Sequence, residues 1–226
     1  MMHYHGTPIS PRRVLLELAG KNFCVSYAHP QDVLVCHQVG QSVMLDNGAF
    51  SLWTRNKEVN WREFYEWAER WLDHQTSWAV IPDVIDGDEK DNDALIAYCP
   101  LPIHQSAPVW HLHEPTDRIL HFLDLGYTRI CFGSSGEYKE VGSDKWHQRI
   151  TQAFNRMSCN GPIPWVHMMR GMSLSGQQYP FASVDSTDVA RNHNRKNNAK
   201  QMAERWDAIQ CPAGWHPQLE QEEMKL

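Results

Sequence analysis

The chain has no paired-cysteine motif. Its six cysteines (Cys24, Cys36, Cys99, Cys131, Cys159 and Cys211) stand singly, with neither CxxC nor CxC among them. That spacing argues against a thiolate zinc site and against a disulfide framework. Several lie inside apolar runs such as NFCVSY and RICFG, so they read as reduced core residues. No apolar run approaches the roughly 18 residues of a membrane span. The first residues, MMHYHGTP, carry neither the cationic nor the apolar region of a signal peptide. A soluble, cytoplasmic protein is expected, in keeping with 21% charged residues and a mean hydropathy of -0.56. Net positive charge is missing too: the formal charge of -6 argues against nonspecific coating of nucleic acid but permits a local basic mouth. No repeat, linker or low-complexity tract divides the 226 residues. One domain over residues 1–211 is therefore expected, with a peripheral tail over 212–226 that Trp215 anchors.

What the chain does have is a recurring alternation. Eight short apolar segments read as strands: His3–Thr7, Asn22–Ala28, Ser42–Leu45, Trp78–Ile81, Ala107–Leu112, Arg129–Phe132, Pro164–Met168 and Phe181–Val184. Helical patterns separate most of them. Ser10 and Pro11 read as an N-cap and first-turn pair, Gln31–His37 as a short helix, and Gly87–Tyr98 as an acidic helix. Asn60 with Glu63, and Ser143, are expected to cap two amphipathic helices. Eight strands alternating with helices predict a (β/α)8 TIM-type barrel, an α/β single domain, with a doubly wound sheet as the alternative.

In such a barrel the chemistry gathers where the strands end. The residues predicted there are Asp46, Asp83, Asp86, His111, His113, Glu137, His167, Arg170 and Asp185. The stretch FASVDSTDVARN at Phe181–Asn192 delivers Asp185 to a strand tip, and Ser186, Thr187 and Asp188 would cap the next helix. A carboxylate can attack a sugar C1′ while a second carboxyl donates a proton to the departing base. Asp46 and Asp185 are the natural pair for that reaction. Phe50, Trp110 and Phe132 are candidates to stack on the base, and Asn47, Gly48, His111, Ser134 and His167 to line its pocket. Arg170, Arg191, Arg195 and Lys196 are candidates to hold phosphate. The pair His111-x-His113, with His167, offers a different reading as a metal-dependent hydrolase barrel.

The ordered motifs DNGAF (Asp46–Phe50), PDV (Pro82–Val84), FGSSGE (Phe132–Glu137), WVHMMRG (Trp165–Gly171) and SVDSTDVARN (Ser183–Asn192) resemble the tRNA-guanine transglycosylase superfamily and its DNA-acting relatives. The resemblance implies a (β/α)8 barrel that breaks a base–sugar N-glycosidic bond. It matches Asp185 to the nucleophile and Asp46 to the proton-transfer and base-contacting carboxylate. It matches Asp83 to a base-recognition carboxylate, Gly133 and its neighbours to a loop whose backbone contacts the base, and Met168 to a residue packing on it. The tRNA enzymes carry a cysteine-rich zinc site after the nucleophile, where this chain has only Cys211. No metal or other cofactor is therefore expected, and DNA is favoured over tRNA as partner. The DNA-acting relatives include enzymes that insert a deazaguanine and a glycosylase that removes glucosylated hydroxymethylcytosine in defence against phage. The expected activity is thus a DNA glycosylase acting on modified, phage-type DNA, with base exchange as the alternative.

Overall fold

The computed structural model describes residues 1–55, 60–74, 76–85 and 87–218. Asp86 and the last residues of the tail, 219–226, lie outside the described residues. The strands are β1 (Met2–Gly6), β2 (Asn22–Ser26), β3 (Ser42–Asp46), β4 (Trp78–Val80), β5 (Ser106–Ala107), β6 (Val109–His111), β7 (Arg129–Gly133), β8 (Trp165–Met168) and β9 (Ser183–Ser186). Their order is β5-β4-β3-β2-β1-β9-β8-β7-β6, and neighbouring strands run parallel.

The two ends of that order are consecutive in the chain, so the sheet curls into a nearly closed barrel. β5 and β6 are halves of one predicted strand parted by Pro108; the first pairs with β4 and the second with β7. Proline has no N–H to give a neighbour, yet the Pro108 carbonyl still accepts from the Cys131 N–H at 2.9 Å. Taken as one stave, they make this a TIM-type (β/α)8 barrel in a single α/β domain, and a doubly wound open sheet is ruled out.

Period-2 alternation sorts the strand side chains into two layers. Tyr4, Cys24, Met44, Trp78, Val80, Ala107, Val109 and Cys131 fill the barrel. There the Trp78 indole N–H donates to the Tyr4 hydroxyl at 2.9 Å, and that hydroxyl pairs with Ser42 Oγ at 2.9 Å. Their neighbours in sequence, Trp110 and Phe132 among them, point outward and pack under the helices in one cluster with Met168, Trp146 and Phe154. Fully burying a large apolar side chain contributes about 1.5–3 kcal/mol, so this outer layer holds the helices to the barrel.

The helices obey local signals with small shifts. Pro11 is extended (φ -73°, ψ 161°) and takes the N-cap position itself, so α1 (Arg12–Leu16) begins beyond it and Ser10 does not cap. A 3₁₀ turn, Pro30–Asp32, precedes α2 (Val33–Val39). After α3 (Ala49–Trp53), α4 (Trp61–Glu69) starts at Asn60, whose side chain accepts from the Arg62 N–H and donates to Glu63. α5 (Glu89–Tyr98) begins two residues later than the predicted start at Gly87, because Asp88 and Asp91 form a capping box there. Then come α6 (Asp117–Asp124) and α7 (Asp144–Ser158), the latter capped by Ser143. α8 (Asp188–Asn192) and α9 (Ala199–Asp207) follow β9. In the tail, Trp215 stacks on Tyr179 and its indole N–H donates to Asn155 at 2.9 Å. Among the described residues, no helix is long and apolar enough to cross a membrane.

Candidate active site

Two aspartates face the C-terminal mouth of the barrel from β3 and β9. Asp46 is the last residue of β3, and the chain turns sharply behind it. Gly48 sits in the left-handed region at φ 74°, where a side chain's Cβ would lie 2.9 Å from the Ala28 nitrogen. Only glycine fits that turn without strain. The turn aims the Gly48 N–H at Asp46 Oδ2 (3.2 Å). Burial, reinforced by the nearby charges of Asp185 and Asp83, outweighs the Ser26 and Gly48 hydrogen bonds and pushes Asp46 up to about 6.

Asp185 stands two residues after Ser183 on β9, so both point into the barrel. Its Oδ1 accepts from the Arg170 backbone N–H at 2.6 Å and faces His167 Nε2 at 3.3 Å. Among the described residues, no hydrogen bond reaches Oδ2. Arg170 holds φ 55°, a strained value for a non-glycine residue, and that conformation presents its N–H to the carboxylate. Its guanidinium lies over the Phe50 ring, 4.5 Å from the centroid, so the loop after β8 meets the start of α3 across the mouth. Cys24 on β2 lies between the two aspartates in strand order. Burial, then the charges of Asp185 and Asp46, raise its thiol well above the usual range.

A second cluster occupies the sector of β4 to β6. Asp83 is buried, accepting from Asn47 Nδ2 through Oδ1 (2.9 Å) and from His111 Nε2 through Oδ2 (2.9 Å). Asn47 also donates to the Ile81 carbonyl and accepts from the Ala49 N–H, which ties the end of β3 to that of β4. The other ring nitrogen of His111 faces Glu114 at 3.5 Å. Glu114 pairs in turn with Arg118, and Arg118 with Asp93 at 2.7 Å. Burial alone would lower His111, but hydrogen bonds and charge from Asp83 and Glu114 outweigh it and hold the imidazolium up at about 9.

Other predicted residues fall into place or leave the site. Gly133 points inward beside His111, where a Cβ would come within 3.2 Å of Val109. Phe50 is 46% exposed at the rim next to Trp53. Arg170, Arg191, Arg195 and Lys196 are exposed, and among the described residues none forms a salt bridge. The loop after α8 is pinned at the same end by His193, whose Nε2 meets the Ser10 carbonyl at 2.7 Å.

Trp110, Phe132 and Met168, expected against a base, are 0% exposed and pack under the helices. The reason is alternation: each neighbours an inward residue (His111, Gly133 or His167) and must point the other way. Asn47 and His167 are likewise buried, bonding to Asp83 and Asp185 and not open to a ligand. Ser134 Oγ accepts from the Trp146 indole and so fastens α7.

The rings of His111 and His113 stack 5.8 Å apart, but the three histidines do not form a metal-binding group. His113 is exposed and hydrogen-bonds Ser135, while both ring nitrogens of His111 face carboxylates. Among the described residues, no group of three His, Cys, Asp or Glu side chains could hold a metal.

Sequence reading missed Ser183, Glu114 and Arg118. The alternation in SVD already put Ser183 on the face of Asp185, and the spacings of three and four from His111 to Glu114 to Arg118 were visible in HLHEPTDR. Two surface grooves, one lined by Thr116, Gln152, Asn155, Arg156 and Cys159 and one by Arg62, Tyr65, Glu66, Glu69, Tyr98 and Pro100, lie on the helical flank and contain none of the mouth residues. No family model, curated protein or solved structure matches the chain.

Proposed function

We propose that the barrel is a DNA glycosylase that cleaves the N-glycosidic bond of a modified base, with glucosylated hydroxymethylcytosine of phage DNA as the leading candidate. One observation carries the reading: two carboxylates share the mouth in different settings. Asp46 is raised to about 6 and suited to hold a proton, while Asp185 Oδ1 accepts from the Arg170 N–H and faces His167 Nε2, and among the described residues no hydrogen bond reaches Oδ2. The ordered motifs shared with the transglycosylase superfamily support the same assignment.

In this reading the target nucleotide is flipped out of the stack into the mouth. Oδ2 of Asp185 forms a bond to C1′ as the C1′–N bond breaks and its electron pair leaves with the base. The Asp46 carboxyl gives that base its proton. Water then opens the C1′ ester, its hydroxyl going to C1′ and its proton to the Asp46 carboxylate, which restores the Asp185 carboxylate and the Asp46 carboxyl and leaves an abasic site. The exposed cations Arg170, Arg191, Arg195 and Lys196 hold flanking phosphates, and Phe50 with Trp53 offers aromatic surface at the rim.

The test is incubation of the protein with plain DNA and with hypermodified phage DNA, no free base added, scoring abasic sites by alkaline strand cleavage. Abasic sites confined to the modified DNA are expected. Incorporation of labelled deazaguanine without abasic sites would replace hydrolysis by base exchange, and intact DNA in every lane would count against the assignment.

A further inference from the structure

Beneath Asp185 a line of hydrogen bonds runs through the barrel interior. The Trp165 indole N–H donates to Ser183 Oγ at 2.8 Å, Ser183 Oγ meets His167 Nδ1 at 2.8 Å, and His167 Nε2 meets Asp185 Oδ1 at 3.3 Å. His167 and Ser183 are both 0% exposed, and the rings of Tyr4 and Trp78 stand edge-on to His167 at 6.0 and 5.3 Å. Solvent therefore cannot supply a missing partner.

Donor and acceptor counting fixes the direction of the line. An indole N–H can only donate, so Trp165 occupies a lone pair of Ser183 Oγ. The Ser183 hydroxyl hydrogen then needs an acceptor, and among the described residues its remaining side-chain partner is His167 Nδ1. That nitrogen must carry a lone pair, which leaves the ring hydrogen on Nε2, pointing at the carboxylate. The opposite tautomer would put a lone pair against the Asp185 carboxylate and strand the serine hydrogen in a dry site, and unmade buried hydrogen bonds are costly.

We infer that Trp165 and Ser183 lock His167 in the tautomer with its hydrogen on Nε2, making His167 a positioning residue that holds Oδ1 of Asp185 and aims Oδ2 at the reacting carbon. No proton moves along the line; its work is to deny the carboxylate any other orientation. The backbone N–H of Arg170 fixes the same oxygen from the loop side, so Oδ1 is clamped by two donors and Oδ2 is the free nucleophile. The catalytic consequence rests on the glycosylase reading, but the tautomer assignment does not.

The test separates the two. In ¹⁵N-labelled protein, long-range ¹H–¹⁵N correlation spectra report which ring nitrogen of each of the 13 histidines carries hydrogen, and loss of one spin system in His167→Gln assigns the signal. Wild type is expected to show hydrogen on Nε2 and a bare Nδ1 at His167, and Ser183→Ala to shift or mix that pattern. A protonated Nδ1 in neutral wild-type protein, or an unchanged pattern in Ser183→Ala, overturns the lock. In single-turnover cleavage, Ser183→Ala is expected to lose roughly ten- to a hundredfold in rate with DNA affinity unchanged. His167→Gln, whose amide can still donate to Oδ1, should retain more activity than His167→Leu. Equal loss in those two variants would reduce His167 to a packing role. Wild-type protein with no cleavage at all sinks the glycosylase reading while the spectra still decide the tautomer.

Discussion

The mouth of this barrel holds two acidic clusters built on opposite principles. In the β4 to β6 sector every charge has a partner: Asp83, His111, Glu114, Arg118 and Asp93 alternate in sign, and the first four are buried. In the β3 and β9 sector Asp46 and Asp185 sit near each other; among the described residues neither forms a salt bridge with a lysine or arginine, and the hydrogen bonds of Asp185 fall on one oxygen. A paired network spends its electrostatics on holding its own geometry. An unpaired couple keeps unsatisfied charge available for a ligand or a reaction. The first cluster therefore reads as the frame and the second as the tool.

Substitution can break that distinction. Asp185→Ala should abolish abasic-site formation, a loss of at least about 10³-fold, while thermal unfolding stays within a few degrees of wild type; a fully active variant removes Asp185 from the mechanism. Asp83→Asn should do the reverse. It leaves His111 with one carboxylate fewer in a buried site, at a stability cost of about 3–5 kcal/mol, visible in urea unfolding.

The same pair sets a pH signature for the frame. Because folding raises His111 from 6.5 to about 9, its stabilisation is fully present below about pH 6.5 and is lost as pH rises through about 9. Asp83→Asn should flatten that alkaline limb, and a limb unchanged by it would assign the loss to another group.

Asp46→Asn sharpens the comparison from the other sector. A protonated Asp46 can donate, so the wild-type cleavage rate should fall as pH rises through about 6, and the variant should lose both that limb and about 10²-fold or more in rate. Burial also makes ionisation of Asp46 unfavourable in the folded chain, whose carboxyl titrates at about 6 against an ordinary 3.8. Wild-type stability should then decline between about pH 4 and 6 by up to about 3 kcal/mol, and Asp46→Asn should abolish the decline. The smallest effect is expected from Lys196→Ala: a uniform weakening of DNA binding across sequences, with the salt slope reduced by about one. An unchanged slope would take Lys196 off the phosphate path.

The barrel was legible in the chain because each strand pairs an apolar run with a turn or cap signal, and those signals are local. Boundaries moved where a proline intervened, as at Pro11 and Pro108, or where Asp88 and Asp91 built a cap ahead of α5. The aspartates were legible because a strand's end also marks the barrel's mouth. What misled was facing. Trp110, Phe132 and Met168 adjoin inward-facing residues in sequence, and one step along a strand reverses the direction of a side chain. Partnership was the other hidden layer: nothing local says that Asn47 serves Asp83, 36 positions away, or that Trp165 reaches Ser183. Those bonds exist only once the ring has closed.

Position 170 separates two tasks that usually travel together. Its main chain, bent into the left-handed region, supplies the N–H that Asp185 needs, and any residue able to adopt that bend supplies the same atom. Its side chain, exposed and resting on Phe50, contributes nothing to that bond. The anchoring of the Asp185 carboxylate and the choice of what lies across the rim are thus written in different parts of one residue. Exchange of the side chain can change the rim contact without disturbing the Asp185 carboxylate, and glycine, relieved of the strain, would isolate the anchoring task alone.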